Sequence, residues 1–249
     1  MKNRLMFITL LLFLIHISYA QDLTSSEMHA IRAFVNDVKY GRKELVAGAI
    51  SFPIERLYPL PAICDKDEFL SLYDEFIDET LIDSLSTMDW SRVGWRGVML
   101  ANGCIWGDFD EGRFVVYHFS YKTKAEINRW KAYIDELREK VYFQLRDYLT
   151  PELLFKTNKF IIRIDNMPDG NIRYASWSGN KTMLAKPDLV ISSGRHWTEG
   201  SLHLEYYEFT NNGFSYLIGP PNEPNYDYEL MVLLRDNIIL QESGKNISY

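Results

Sequence analysis

Beyond Pro151 the chain alternates apolar and polar residues, and pairs of Gly, Asn and Asp break the alternation at short intervals. A period of two sends successive side chains to opposite faces of a strand, which excludes a helical bundle for this half. Strands are predicted at 160–164, 172–177, 189–191, 202–209, 214–218, 229–234 and 238–241. Asp169-Gly170, Gly179-Asn180, Asn212-Gly213 and Asp236-Asn237 supply turns between them. About seven strands in roughly ninety residues describe a small all-β barrel or sandwich.

The first half mixes two periods. Thr24-Ser25-Ser26-Glu27 has the spacing of a capping box, and Ile31, Phe34, Val35 and Val38 follow at helical intervals. A second short helix is expected over 42–49. Residues 50–64 carry Pro53, Pro59 and Pro61, which forbid a central strand over that length. Asp65-Lys66-Asp67-Glu68 opens a helix expected to run to about Ser86, with Phe69, Leu72, Tyr73, Phe76, Ile77 and Leu81 on its apolar stripe. Asp74 with Asp78, and Glu75 with Glu79, would then stand one turn apart as like-charge pairs on a solvated acidic face.

Strand-like runs at 98–100, 105–109 and 113–121 are joined by Asn102-Gly103 and by Glu111-Gly112. This predicts an antiparallel meander with one face laid on the helices. Thr123-Lys124-Ala125-Glu126 reads as a second capping box, opening a connector helix expected to reach about Leu149.

The N-terminus reads MKNRLMFITLLLFLIHISYAQD. Lys2 and Arg4 precede an apolar run, and Ser18 and Ala20 sit at small-residue positions. This is the layout of a secretory signal peptide cut after Ala20, and the run is short for a transmembrane helix of about 20 residues. The expectation is an exported protein, periplasmic or secreted, with no transmembrane segment after cleavage. Losing Lys2 and Arg4 takes the formal charge from −7 to −9. Nucleic acid is a poor partner for such a chain, because phosphates need Lys and Arg. An exported compartment permits a disulfide between Cys64 and Cys104, although both positions also suit buried free thiols.

GRKELVAGAISFPIERL, KDEFLSLYDEFID and GVMLANGCIWGDFDEGRFVVYHF together resemble the nuclear transport factor 2-like, or cystatin-like, superfamily, in the form of secreted bacterial proteins of unsettled function. The resemblance covers about residues 22–121 and implies a cone in which a bent sheet wraps a helix around an apolar cavity. Both enzymes and non-catalytic modules share that cone. The resulting expectation is an α+β protein. A signal peptide (1–20) precedes a helix-plus-curved-antiparallel-sheet cone (21–122), a connector helix (123–150) and a small all-β barrel or sandwich (151–249).

Candidate ligand contacts are Met99, Ile105, Trp106 and His118 around the cone, and Trp197 in a Gly-flanked loop. His118 shares an alternating face with Phe114 and Val116, which suits a satisfied structural histidine. Trp197 has the stacking surface a glycan would use. His203 and Glu205 lie two apart with His196 nearby, but no spacing is diagnostic of zinc, and neither metal nor cofactor is expected. No P-loop, GxSxG, HExxH or CxxC occurs, so no catalytic residue is assigned. The function expected is non-catalytic binding of an envelope partner, a glycan or a small apolar ligand. The alternatives are a cone-pocket isomerase, cyclase or hydrolase, and an inhibitory or structural protein-contact module.

Overall fold

The computed structural model describes residues 23–93 and 97–247, so the expected signal peptide lies outside the described residues. No helix among them is long and apolar enough to cross a membrane. The chain divides into two compact units. Of the described residues, the first unit takes 23–55, 62–93 and 97–123, and the second takes 56–61 and 124–247.

The first unit opens with α1 (Ser25–Lys39). Thr24 and Glu27 close the capping box, and Ile31, Phe34, Val35 and Val38 are buried. A fully buried aliphatic such as Ile31 contributes about 1.5–3 kcal/mol. After α2 (Lys43–Gly48), the single helix expected from 65 to 86 is three pieces: α3 (Lys66–Ser71), α4 (Tyr73–Phe76) and α5 (Glu79–Thr87). Ile77 is extended, and Asp78 starts α5 by accepting from the Leu81 N–H at 2.9 Å. The break separates the expected like-charge pairs. Asp74 instead takes Lys43 at 2.9 Å, and Asp78 accepts from the Tyr121 hydroxyl at 2.9 Å.

Strands β1 (Val98–Leu100), β2 (Ile105–Asp110) and β3 (Arg113–Phe119) form the antiparallel meander in the order β1-β2-β3. Ala101, Asn102 and Gly103 all take positive φ in the first turn. The register slips by one between Trp106 and Gly107: Trp106 faces His118, and Gly107 faces Val116. Tyr117 is the extra residue of this bulge. It turns Phe119 inward and His118 outward, against the simple alternation from Phe114. The core is filled by Phe34, Phe69, Phe76, Phe114 and Phe119 with aliphatic neighbours.

Apart from residues 56–61, the second unit begins with α6 (Lys124–Glu139), which ends ten residues before the Leu149 expected for the connector. Past Glu139 the chain follows tertiary partners. The Tyr142 N–H donates to the Met183 carbonyl at 2.7 Å, and Val141, Leu145 and Tyr148 bury themselves against Ala175 and Trp177.

Nine antiparallel strands follow among the described residues: β4 (Thr150–Thr157), β5 (Phe160–Asn166), β6 (Ile172–Ser178), β7 (Leu189–Ile191), β8 (Gly194–Glu199), β9 (Leu204–Asn211), β10 (Phe214–Gly219), β11 (Tyr228–Leu234) and β12 (Asn237–Asn246). Their order is β7-β6-β5-β4-β12-β11-β10-β9-β8, and β8 and β9 lie close to β6 and β7, so the sheet is a nearly closed barrel. The molecule is thus α+β with a barrel-like sheet. β4 and β8 are additions to the predicted strands, and the segment around Trp197 is strand β8, not loop. The barrel interior holds Leu153, Phe155, Ile162, Ile164, Tyr174, Tyr207, Phe209, Ile218 and Leu230.

Candidate functional site

Antiparallel pairing of β8 with β9 sets His196 opposite Tyr207 and Thr198 opposite Glu205. Alternate residues share a face, so Phe209, Tyr207 and Glu205 form one row along β9. Phe209 and Tyr207 are buried in the barrel core, whereas Glu205 is exposed. The row therefore passes from apolar to acidic at one mouth of the barrel.

Glu152 reaches the same mouth from β4. Pro151 pairs with Asp165 and Leu153 with Ile164, which leaves Glu152 as the extra residue of a bulge. A bulge re-aims the side chain it carries, and Pro151 cannot donate to a regular ladder at this point. The Tyr207 hydroxyl lies 2.9 Å from Glu152 Oε1 and 3.2 Å from Glu205 Oε2. Asn166 donates to Glu152 Oε2 at 2.6 Å and fixes that carboxylate. The His196 ring lies flat on the Tyr207 ring, with centroids 4.5 Å apart and planes 6° apart. One ligand atom each from Glu152, His196 and Glu205 falls within 4.8 Å of the others. Glu205 also borders a cleft of about 460 Å³ lined by Leu204, Pro220, Tyr226, Asp227 and Tyr228.

The charge balance of this group is lopsided. A phenol carries one proton, and an ionised carboxylate only accepts. Tyr207 can therefore donate to one of its two carboxylates at a time. Burial first, then Glu152 and Glu205, raises the Tyr207 pKa far above its ordinary value, so the phenol stays neutral. Burial and Glu205 push Tyr228 up to about 12. Acceptors outnumber donors at the mouth, which suits a ligand bearing hydroxyl donors or positive charge.

The residues singled out in the sequence fall in three places. Ile105 is fully buried in the first unit's core. Met99, Trp106 and His118 form a cross-strand row on the other face of that sheet. Trp106 is 46% exposed, and its indole N–H donates to the Gly103 carbonyl at 2.9 Å. Partial burial first, then Lys122, lowers the His118 pKa, which keeps this solvent-side imidazole neutral at pH 7.

Trp197 is half-buried on the face of β8 opposite to His196. Tyr206 lies parallel to it at 5.5 Å, the Arg195 guanidinium stands 4.9 Å from its centroid, and its N–H donates to Glu199 at 2.8 Å. The indole is thus engaged by its own sheet.

His203, grouped with Glu205 from the sequence, sits in the turn before β9 with φ 50°, its Nδ1 3.2 Å from the Ser201 carbonyl. Glu152 takes its place in the cluster. Its only sequence signal is the Pro151 beside it. Cys64 and Cys104 are free thiols: Cys64 is exposed and near the Ala62 carbonyl, and burial raises the Cys104 pKa. The chain matches no family model, no curated protein and no solved structure.

Proposed function

We propose that the protein is an exported, non-catalytic binding protein whose ligand seat is the mouth of the barrel. Among the ligand classes expected from the sequence, a glycan fits this mouth best. One observation carries the reading: the Tyr207 hydroxyl stands between Glu152 and Glu205 beside a cleft of about 460 Å³. The carboxylates accept from sugar hydroxyls, while Tyr226, Tyr228, Leu204 and Pro220 offer apolar surface for ring faces. The neutral Tyr207 serves as a donor and not as a base, which suits binding more than proton abstraction.

Export is read from the leader 1–20 and its small residues at Ser18 and Ala20. The first unit is read as a nuclear transport factor 2-like module; the order of helices followed by the meander supports this. Its core, filled with apolar and aromatic side chains, favours a supporting or contact role over a pocket enzyme.

Saturation-transfer NMR of the mature chain against a panel of neutral oligosaccharides tests the reading. Transfer to at least one glycan, lost in Glu205→Gln, supports it. No transfer from any glycan, or transfer unchanged in Glu205→Gln, overturns it. Mass analysis of the exported chain should give an N-terminus at Gln21.

A further inference from the structure

We propose that the barrel mouth holds one zinc-class divalent cation, ligated by Glu152, His196 and Glu205. The three come from different strands, β4, β8 and β9, and converge to within 4.8 Å. Zinc sits about 2.0–2.2 Å from imidazole nitrogen and carboxylate oxygen, so its ligands stand roughly 3.2–3.6 Å apart in a tetrahedron. The ligand atoms stand within 4.8 Å of one another, and His196 and Glu205, two of the three side chains that must close on the ion, are exposed.

A mixed set of one imidazole and two carboxylates selects zinc or a similar transition ion over calcium, which takes oxygen alone. The surroundings are those of a supported ligand set. Asn166 holds the outer oxygen of Glu152, and the Tyr207 ring fixes the plane of His196. The cation also answers the proton shortage around Tyr207, because two carboxylates that share one phenolic proton gain a common positive partner. Three protein ligands leave a fourth position open, and Glu205 borders the cleft. A hydroxyl of a bound ligand could complete the shell there. The proposal uses the same mouth as the glycan reading and does not depend on it.

The test is equilibrium dialysis of the full mature chain against zinc with no glycan present, followed by metal analysis and calorimetry. One zinc per chain is expected. His196→Ala and Glu152→Gln should each weaken binding at least tenfold, while His203→Ala should leave it unchanged. Cobalt substitution gives a second readout, a visible spectrum that is lost in His196→Ala whenever that variant keeps its native circular dichroism. No retained zinc, or retention that survives His196→Ala, overturns the proposal. Glycan transfer repeated after chelation separates the two readings: transfer that persists without zinc keeps the glycan and removes the metal from it.

Discussion

Arg56 and Glu126 meet in a two-point fork, with Nε 3.1 Å from Oε1 and Nη2 2.5 Å from Oε2. Both side chains are buried, at 5% and 1% exposure. The pair ties residues 56–61 to α6 within the second unit, and Trp130 adds an indole N–H bond to the Tyr58 carbonyl at 2.8 Å. Removing one partner breaks a buried ion pair, which costs about 3–5 kcal/mol. Glu126→Ala and Arg56→Ala should each lower stability by that order in urea denaturation. Arg56→Lys should lose part of it, because an ammonium cannot reproduce the fork.

Asp165 is the second buried anchor. It accepts from Arg163 Nε at 2.7 Å and from Arg173 Nη2 at 2.8 Å, and it has no exposed surface. Arg173 also donates to the Leu145 and Asp147 carbonyls, so Asp165 holds the segment after α6 to the barrel. Asp165→Asn keeps the shape and removes the charge that two guanidinium groups face. A loss of about 3–5 kcal/mol is expected. A change below about 1 kcal/mol in the same denaturation assay would contradict it.

Gly107 has a steric reason to be glycine. A Cβ there would lie 2.5 Å from the Phe114 ring and 2.5 Å from the Val115 carbonyl oxygen. The ring could turn, but the carbonyl is part of the β3 backbone. Gly107→Ala should destabilise the first unit by about 1–3 kcal/mol, with the largest amide shifts by NMR at β2 and β3.

What the sequence made legible was local. The Thr24 cap forms as its spacing requires, and Asn212-Gly213 takes φ of 50° and 80° between paired Asn211 and Phe214. Each depends on a few adjacent residues. The Arg235-Asp236 turn, one residue before the expected Asp236-Asn237, shows how little separates neighbouring choices.

The missed features depend on a partner strand. The bulges at Tyr117 and Glu152 are invisible in one strand's pattern, yet the first sends His118 outward and the second brings Glu152 to Tyr207, 55 residues away. β8 is weakly signalled in the sequence because it is an edge strand whose residues from Arg195 to Glu199 are polar apart from Trp197. Half of the mouth, His196 and Glu205, was therefore visible as residue types. The half supplied by Glu152 and Tyr207 needed the barrel to close.

The buried tyrosines make the protein sensitive to alkali. Burial, with the Asp74 charge second, raises Tyr73 to about 12, and burial with Glu205 does the same for Tyr228. Tyr174 and Tyr207 are raised further, again by burial first. An unfolded tyrosine ionises near pH 10. A phenol whose folded pKa lies above that value favours the folded chain fully below about pH 10. Between about pH 10 and 12 the unfolded chain sheds the proton first, and each such tyrosine lowers stability by about 1.4 kcal/mol per pH unit. Tyr73 belongs to the first unit and Tyr228 to the second, so both should weaken over one window. Ultraviolet absorbance of tyrosinate, recorded beside circular dichroism, should show the buried fraction ionising only as the secondary structure is lost. Complete tyrosinate signal below about pH 11 with the dichroism intact would mean that these hydroxyls reach solvent in the folded chain.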